Sequence, residues 1–231
     1  MLKNINKNRI IYYCIGLVVL ALGLTLNTKA GLGVSPILAV AYSISNIFHL
    51  NFANMTLVLY VFFIFIELII HFLQKREKIY FVIDLLQIVF SVVFTRFMNI
   101  FVYLIPTFAT DLAGTIYASI PFRLFILALA IILTGIGAIL IMDMKLICNP
   151  ADGLVQALAS VIHKEIGLTK NIVDFICVII TCIICIVFNN GHIIGINIGT
   201  ILAMLLVGRV MAIFNHFFLK YLIKSANLIE Q

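Results

Sequence analysis

The chain has 231 residues, 64% of them hydrophobic and only 10% charged, with a mean hydropathy of +1.23 and a formal net charge of +6. A soluble domain averages about 45–50% apolar and about 25% charged residues, so no soluble fold of this size hides this much apolar surface. Disorder, collagen and coiled coil fall to the same arithmetic, and the long unbroken apolar runs exclude a membrane β-barrel, whose strands alternate. The basic residues sit mainly in short loops, which is an orientation signal in a membrane and not a nucleic-acid footprint.

The first apolar run, Ile10–Leu26, follows Lys3, Lys7 and Arg9 and has the outline of a signal peptide. It matches an internal run at 124–140, so it is expected to be a retained span. A span needs about 20 apolar residues. Six runs qualify: 10–27, 54–73, 80–105, 122–142, 171–189 and 195–219. Two shorter helices, 36–49 and 150–163, each open at a proline (Pro36, Pro150) behind an N-cap type residue, Ser35 or Asn149. At a rise of about 1.5 Å per residue each reaches roughly 21 Å, short of a hydrocarbon core about 30 Å thick. The five cysteines (14, 148, 177, 182 and 185) lie in or beside apolar runs and read as packing residues, so no metal site is expected.

Charge decides what the short helices do. If all eight helices cross, the basic residues divide 8 inside against 5 outside. If the short helices enter and leave on one side, the division is 11 against 2, with Arg96 and Arg209 left within the membrane. The expected fold is therefore an all-α polytopic membrane protein with six spans, two re-entrant half-helices and both termini cytoplasmic. An eight-span bundle is the alternative.

The halves also match. At an offset of 114, Gly23 pairs with Gly137, Pro36 with Pro150 and His49 with His163; at 113, Arg96 pairs with Arg209. Three spans per unit is an odd number, so the second unit is expected upside down: an inverted 3+3 repeat with one half-helix in each, as in secondary transporters. The units are 1–105 and 122–231, joined by an extracellular linker at 106–121 that Pro106 and Pro121 bracket.

The residues that could carry chemistry follow from that plan. Half-helix N-termini direct free backbone N–H groups toward the membrane centre. Ser35, Pro36, Asn149 and Pro150 are therefore expected at a substrate site. Asn149–Pro150–Ala151 repeats the tripeptide of aquaporin half-helices, but its counterpart is Ser35–Pro36–Ile37 and the helix order differs, so a water pore is not expected. Arg96 and Arg209 interrupt apolar helices at a cost of at least about 2.5–3.5 kcal/mol each. They are expected to face the interior and bind the substrate. Asp152, in the first turn of the second half-helix, is a candidate for substrate binding or for proton or cation coupling, and Glu67, about two turns inside its span, for coupling. Asp84 and Asp174 are expected to be solvated interfacial acids, and His49 and His163 interfacial residues. No nucleotide-binding, hydrolase or zinc-protease motif is present, so neither catalysis nor a cofactor is expected.

The segments AGLGVSPILAVAYSISNIF, NPADGLVQALASVI and GINIGTILAMLLVGRV, with the closing pattern Gly199, Thr200, Leu202, Leu206 and Gly208, resemble the YczE/YitT group of bacterial membrane proteins over most of the chain. YitT-like members usually carry a C-terminal soluble domain, and this chain ends at Gln231 without one, so the likeness is to the YczE side. The resemblance implies the bacterial cytoplasmic membrane and no settled substrate. From the repeat, the expected function is a secondary transporter or permeation protein for a small anionic or zwitterionic solute, with the lipid bilayer as its surroundings. The alternative is a non-transporting accessory or scaffold protein. Neither a homo-oligomer nor a protein partner can be read from the residues.

Overall fold

A computed structural model describes residues 6–227; Lys3 and Gln231 lie outside that range. The described residues form eight α-helices and no strand. They are α1 (Lys7–Lys29), α2 (Pro36–Ile47), α3 (Phe52–Leu73), α4 (Lys78–Leu104), α5 (Ile120–Asp143), α6 (Pro150–Ile162), α7 (Ile166–Phe188) and α8 (Ile198–Ser225). Six are long and apolar enough to cross a membrane, and α2 and α6 are too short. This is the architecture of a polytopic helical membrane protein.

Several helices run past their apolar runs, by two residues at the starts of α3, α4 and α5 and by about a turn or more in α1, α7 and α8. α7 starts at Ile166 and so includes Thr169 and Lys170. α8 instead starts three residues into its run. There the Asn197 side chain accepts from the Ile198 N–H (2.7 Å), and the Asn197 N–H donates to Thr200 Oγ1 (3.2 Å) in a capping box. Of the two residues expected to cap the short helices, Asn149 accepts from the Ala151 N–H, while the Ser35 side chain makes no cap bond. Both short helices end on a left-handed turn. His49 (φ 53°) and His163 (φ 51°), paired in the sequence, both take this backbone role.

α1 and α5 pack antiparallel along their lengths and form the centre of the bundle. A glycine on each permits the close approach. A Cβ on Gly23 would come within 2.6 Å of the Thr134 nitrogen, and one on Gly137 would strike the Leu20 backbone nitrogen. Membrane helices use small residues in this way because packing, not hydrophobic burial, holds them together. The ends of the pair are tied by two arginines. Arg9 donates from Nε to the Met144 carbonyl (2.6 Å) and from Nη2 to that of Lys145 (2.8 Å). Arg123 donates from Nε to the Ala30 carbonyl (2.8 Å) and from Nη2 to that of Gly31 (2.5 Å). These carbonyls lie on the two residues just past the ends of α5 and α1, where no further helical N–H is available to pair with them.

The two ends of the bundle carry different elements. At one end the Asn8 side chain donates to the Ser225 carbonyl, and Gln74, after α3, bonds Ser160, near the end of α6. At the other end the Phe108 N–H donates to the Lys29 carbonyl, and Phe48, at the end of α2, packs on Phe188, at the end of α7, with ring centroids 5.6 Å apart. The 31–51 segment thus begins and finishes at this second end, and the 145–165 segment begins and finishes at the first. α2 packs on α3 and α7, and α6 packs on α7 and α3. α3 and α4 run closely together, whereas α7 and α8 barely touch.

Candidate functional site

Two cavities are lined by several of the buried polar groups. The first, about 60 Å³, lies where α2 and α6 begin, and is lined by Ser35, Pro36, Asn149, Asp152, Lys170 and Asp174 among apolar residues of α1, α5 and α8. Pro150 is buried at the first position of α6, between the lining residues Asn149 and Ala151. Tyr60, fully buried on α3, forms part of the wall. Asp174 is buried, not solvated: Lys170, one turn earlier on α7, donates to its Oδ2 (2.9 Å), and its Oδ1 has no partner. Each half of the chain therefore contributes one helix N-terminus to a cavity that also contains two carboxylates and an ammonium.

Arg96 and Arg209 are not part of it. Both side chains are exposed, and neither lines either of the two cavities. Arg96 donates to the Asn54 side chain (3.1 Å) on the neighbouring α3. The structure brings Ser35, Pro36, Asn149, Pro150 and Asp152 together and leaves both arginines and Glu67 elsewhere.

Glu67 belongs to the second cavity, about 410 Å³, at the end that carries both described termini. Glu67 and His71 are one turn apart on α3, and Asp84 on α4 faces them across the hairpin; all three are buried. His71 Nδ1 meets Asp84 Oδ2 at 2.7 Å. Gln87 Nε2 donates to both carboxylate oxygens of Glu67 (3.1 and 3.0 Å) and lies 3.6 Å from Cys148 Sγ. Exposed Arg76 and Lys145 line the same cavity. The far wall is α6, where a Cβ on Gly153 would sit 2.7 Å from Glu67 Oε2.

Composition and span-finding single out Glu67 but not His71, Asp84, Gln87 or Cys148. A signal existed. Asp84, Gln87, Ser91 and Thr95 fall at spacings of three and four, which puts them on one face of α4. All four are buried. A span that carries four polar residues along one buried stripe differs in sequence from a span whose acid merely reaches water.

No curated protein and no solved structure matches the chain. No match connects it to the YczE/YitT group in particular. One family model does match, over residues 7–216, and with that coverage the chain belongs to the family it describes, a family of unknown function (DUF6198).

Proposed function

We propose that the protein is a secondary transporter or permeation protein for a small zwitterionic solute, bound between the N-termini of two re-entrant half-helices, α2 and α6. The observation that carries this reading is the shared cavity, in which the first turns of both short helices meet Asp152 and the Lys170–Asp174 pair. Helix N-termini attract a solute carboxylate or phosphate, and the free Asp174 Oδ1 and Asp152 suit its cationic end. A purely anionic solute would meet two carboxylates, so the zwitterion is preferred.

The inverted 3+3 repeat belongs to this reading and gains support from the arginine ties. Arg9 and Arg123 are 114 positions apart, and so are their acceptors, Ala30 with Met144 and Gly31 with Lys145. The glycine contacts follow the same offset, Gly23 against Thr134 and Gly137 against Leu20. A two-fold axis between α1 and α5 relates the members of each pair. Exchange of the halves also maps the α2–α7 packing onto α6–α3. It fails at α3–α4, which is close, against α7–α8, which is loose. Such a difference between otherwise equivalent halves is what alternating access requires of any one state.

The test uses a background in which the five native cysteines are replaced. A cysteine introduced at Ser35 or Val207, both in the cavity wall, is exposed to a membrane-impermeant thiol reagent on right-side-out and inverted vesicles. A transporter makes each position reactive from both sides. A scaffold has no need of an accessible interior, and reactivity from neither side would overturn the proposal.

A further inference from the structure

We propose that Glu67, His71 and Asp84 bind a divalent first-row transition-metal ion at the inner end of the second cavity. The site is independent of the solute cavity and of the transport reading. One Nδ1 or Nε2 atom of His71 and one oxygen from each carboxylate all lie within 4.8 Å of one another. In a tetrahedral zinc site, with bonds of about 2.0–2.2 Å, neighbouring ligand atoms stand about 3.3–3.6 Å apart. Small side-chain movements therefore bring all three onto one ion. The His71–Asp84 contact, 2.7 Å, is a hydrogen bond with one proton in it, and the metal takes the place of that proton.

Charge makes the same point. Two carboxylates are buried here with one imidazole as their sole ion-pair partner among the described residues; Glu67 has no Lys, Arg or His within 4 Å. A buried carboxylate that stays ionised must be paired with a cation or a metal. The remaining parts of a metal site are also present. Gln87 orients the Glu67 carboxylate through both its oxygens, the way outer hydrogen bonds fix metal ligands. The cavity of about 410 Å³ provides a route for the ion and room for water at its open coordination positions. Mixed imidazole and carboxylate donors suit Zn²⁺, Mn²⁺ or Fe²⁺ better than the soft ions that thiolates select.

The experiment takes the full chain, purified in detergent without chelator and offered Zn²⁺ or Mn²⁺. Metal is counted by elemental analysis after gel filtration, affinity is measured by titration calorimetry, and the zinc shell is read by X-ray absorption. The expected result is one ion per chain in a nitrogen and oxygen shell containing one imidazole. Glu67→Gln, His71→Gln and Asp84→Asn should each weaken binding by about tenfold or more, since even outer-sphere changes cost about 10–100-fold. Asp174→Asn, in the other cavity, should leave it unchanged. Absence of stoichiometric metal from the wild type, or a shell without imidazole, overturns the proposal whether or not any variant folds. So does undiminished binding in a folded Asp84→Asn protein.

Discussion

Arg9 and Arg123 each close the end of a neighbouring helix, and each does so with two hydrogen bonds from one planar guanidinium. A lysine keeps the charge but cannot reach two successive carbonyls in a fixed fork. Arg9→Lys and Arg123→Lys should therefore each lower stability by about 1–3 kcal/mol, the scale of charge-assisted hydrogen bonds. The two sites lie at opposite ends of the bundle, so the double variant should be additive. Unfolding of the detergent-solubilised protein measures both. Arg96→Lys and Arg209→Lys, at exposed positions without a buried partner, should stay within about 0.5 kcal/mol of wild type. The sequence directs attention the other way. Arg96 and Arg209 stand out because they interrupt apolar runs, whereas Arg9 and Arg123 sit at helix starts, where a basic residue looks like orientation charge. Their shared offset of 114 was available from the repeat, but only the folded chain shows that they reach across to each other's helix.

At the scale of elements, length and apolar content are enough to recognise six long helices and two proline-started short ones, because membrane thickness admits few alternatives. Which helix faces which is not written in apolar content, since a lipid-facing leucine and a buried one look alike. Glycines carry part of that information. Gly23 and Gly137 face backbone across the α1–α5 contact, so Gly23→Ala and Gly137→Ala must push the helices apart. Each should cost at least about 1–3 kcal/mol, the usual penalty for overpacking, and should lower the yield of monodisperse protein. Gly208, also mid-helix, has open space around it, and Gly208→Ala should be neutral or slightly stabilising through helix propensity. Gly153→Ala is a different case, because its Cβ meets the ends of the Glu67 and Gln87 side chains and not backbone. It should leave the fold in place and weaken metal binding by shifting Glu67, which calorimetry on the folded variant would show. The Glu67 site escapes a span-by-span reading because its parts come from α3, α4 and the chain before α6, and only the hairpin brings them to one depth.

For the molecule as a whole, the distribution of basic residues and the packing agree on one arrangement. Arg9, Lys145, Arg76 and the α6–α7 turn with Lys164 all lie at the end where Asn8 meets Ser225, and Lys29 with Arg123 lies at the other. The positive-inside rule then predicts that the first end, with the mouth of the second cavity, faces the cytoplasm. The prediction concerns single cysteines introduced into a cysteine-free background, labelled in intact cells with an impermeant reagent. Positions from His49 to Asn54 should react from outside. Positions from Gln74 to Lys78, and from Lys164 to Lys170, should react only after the membrane is opened. The second group decides the matter, because a chain with eight crossings moves 74–78 to the outer face while 164–170 remains inside. Labelling of Gln74 in intact cells would mean that α2 crosses the membrane. The halves would then each have four crossings, an even number, and a second unit related to the first by a two-fold axis in the membrane plane would be impossible. The Arg9 and Arg123 ties, which need α1 and α5 antiparallel, could then not form, and the alternating-access argument would lose its basis.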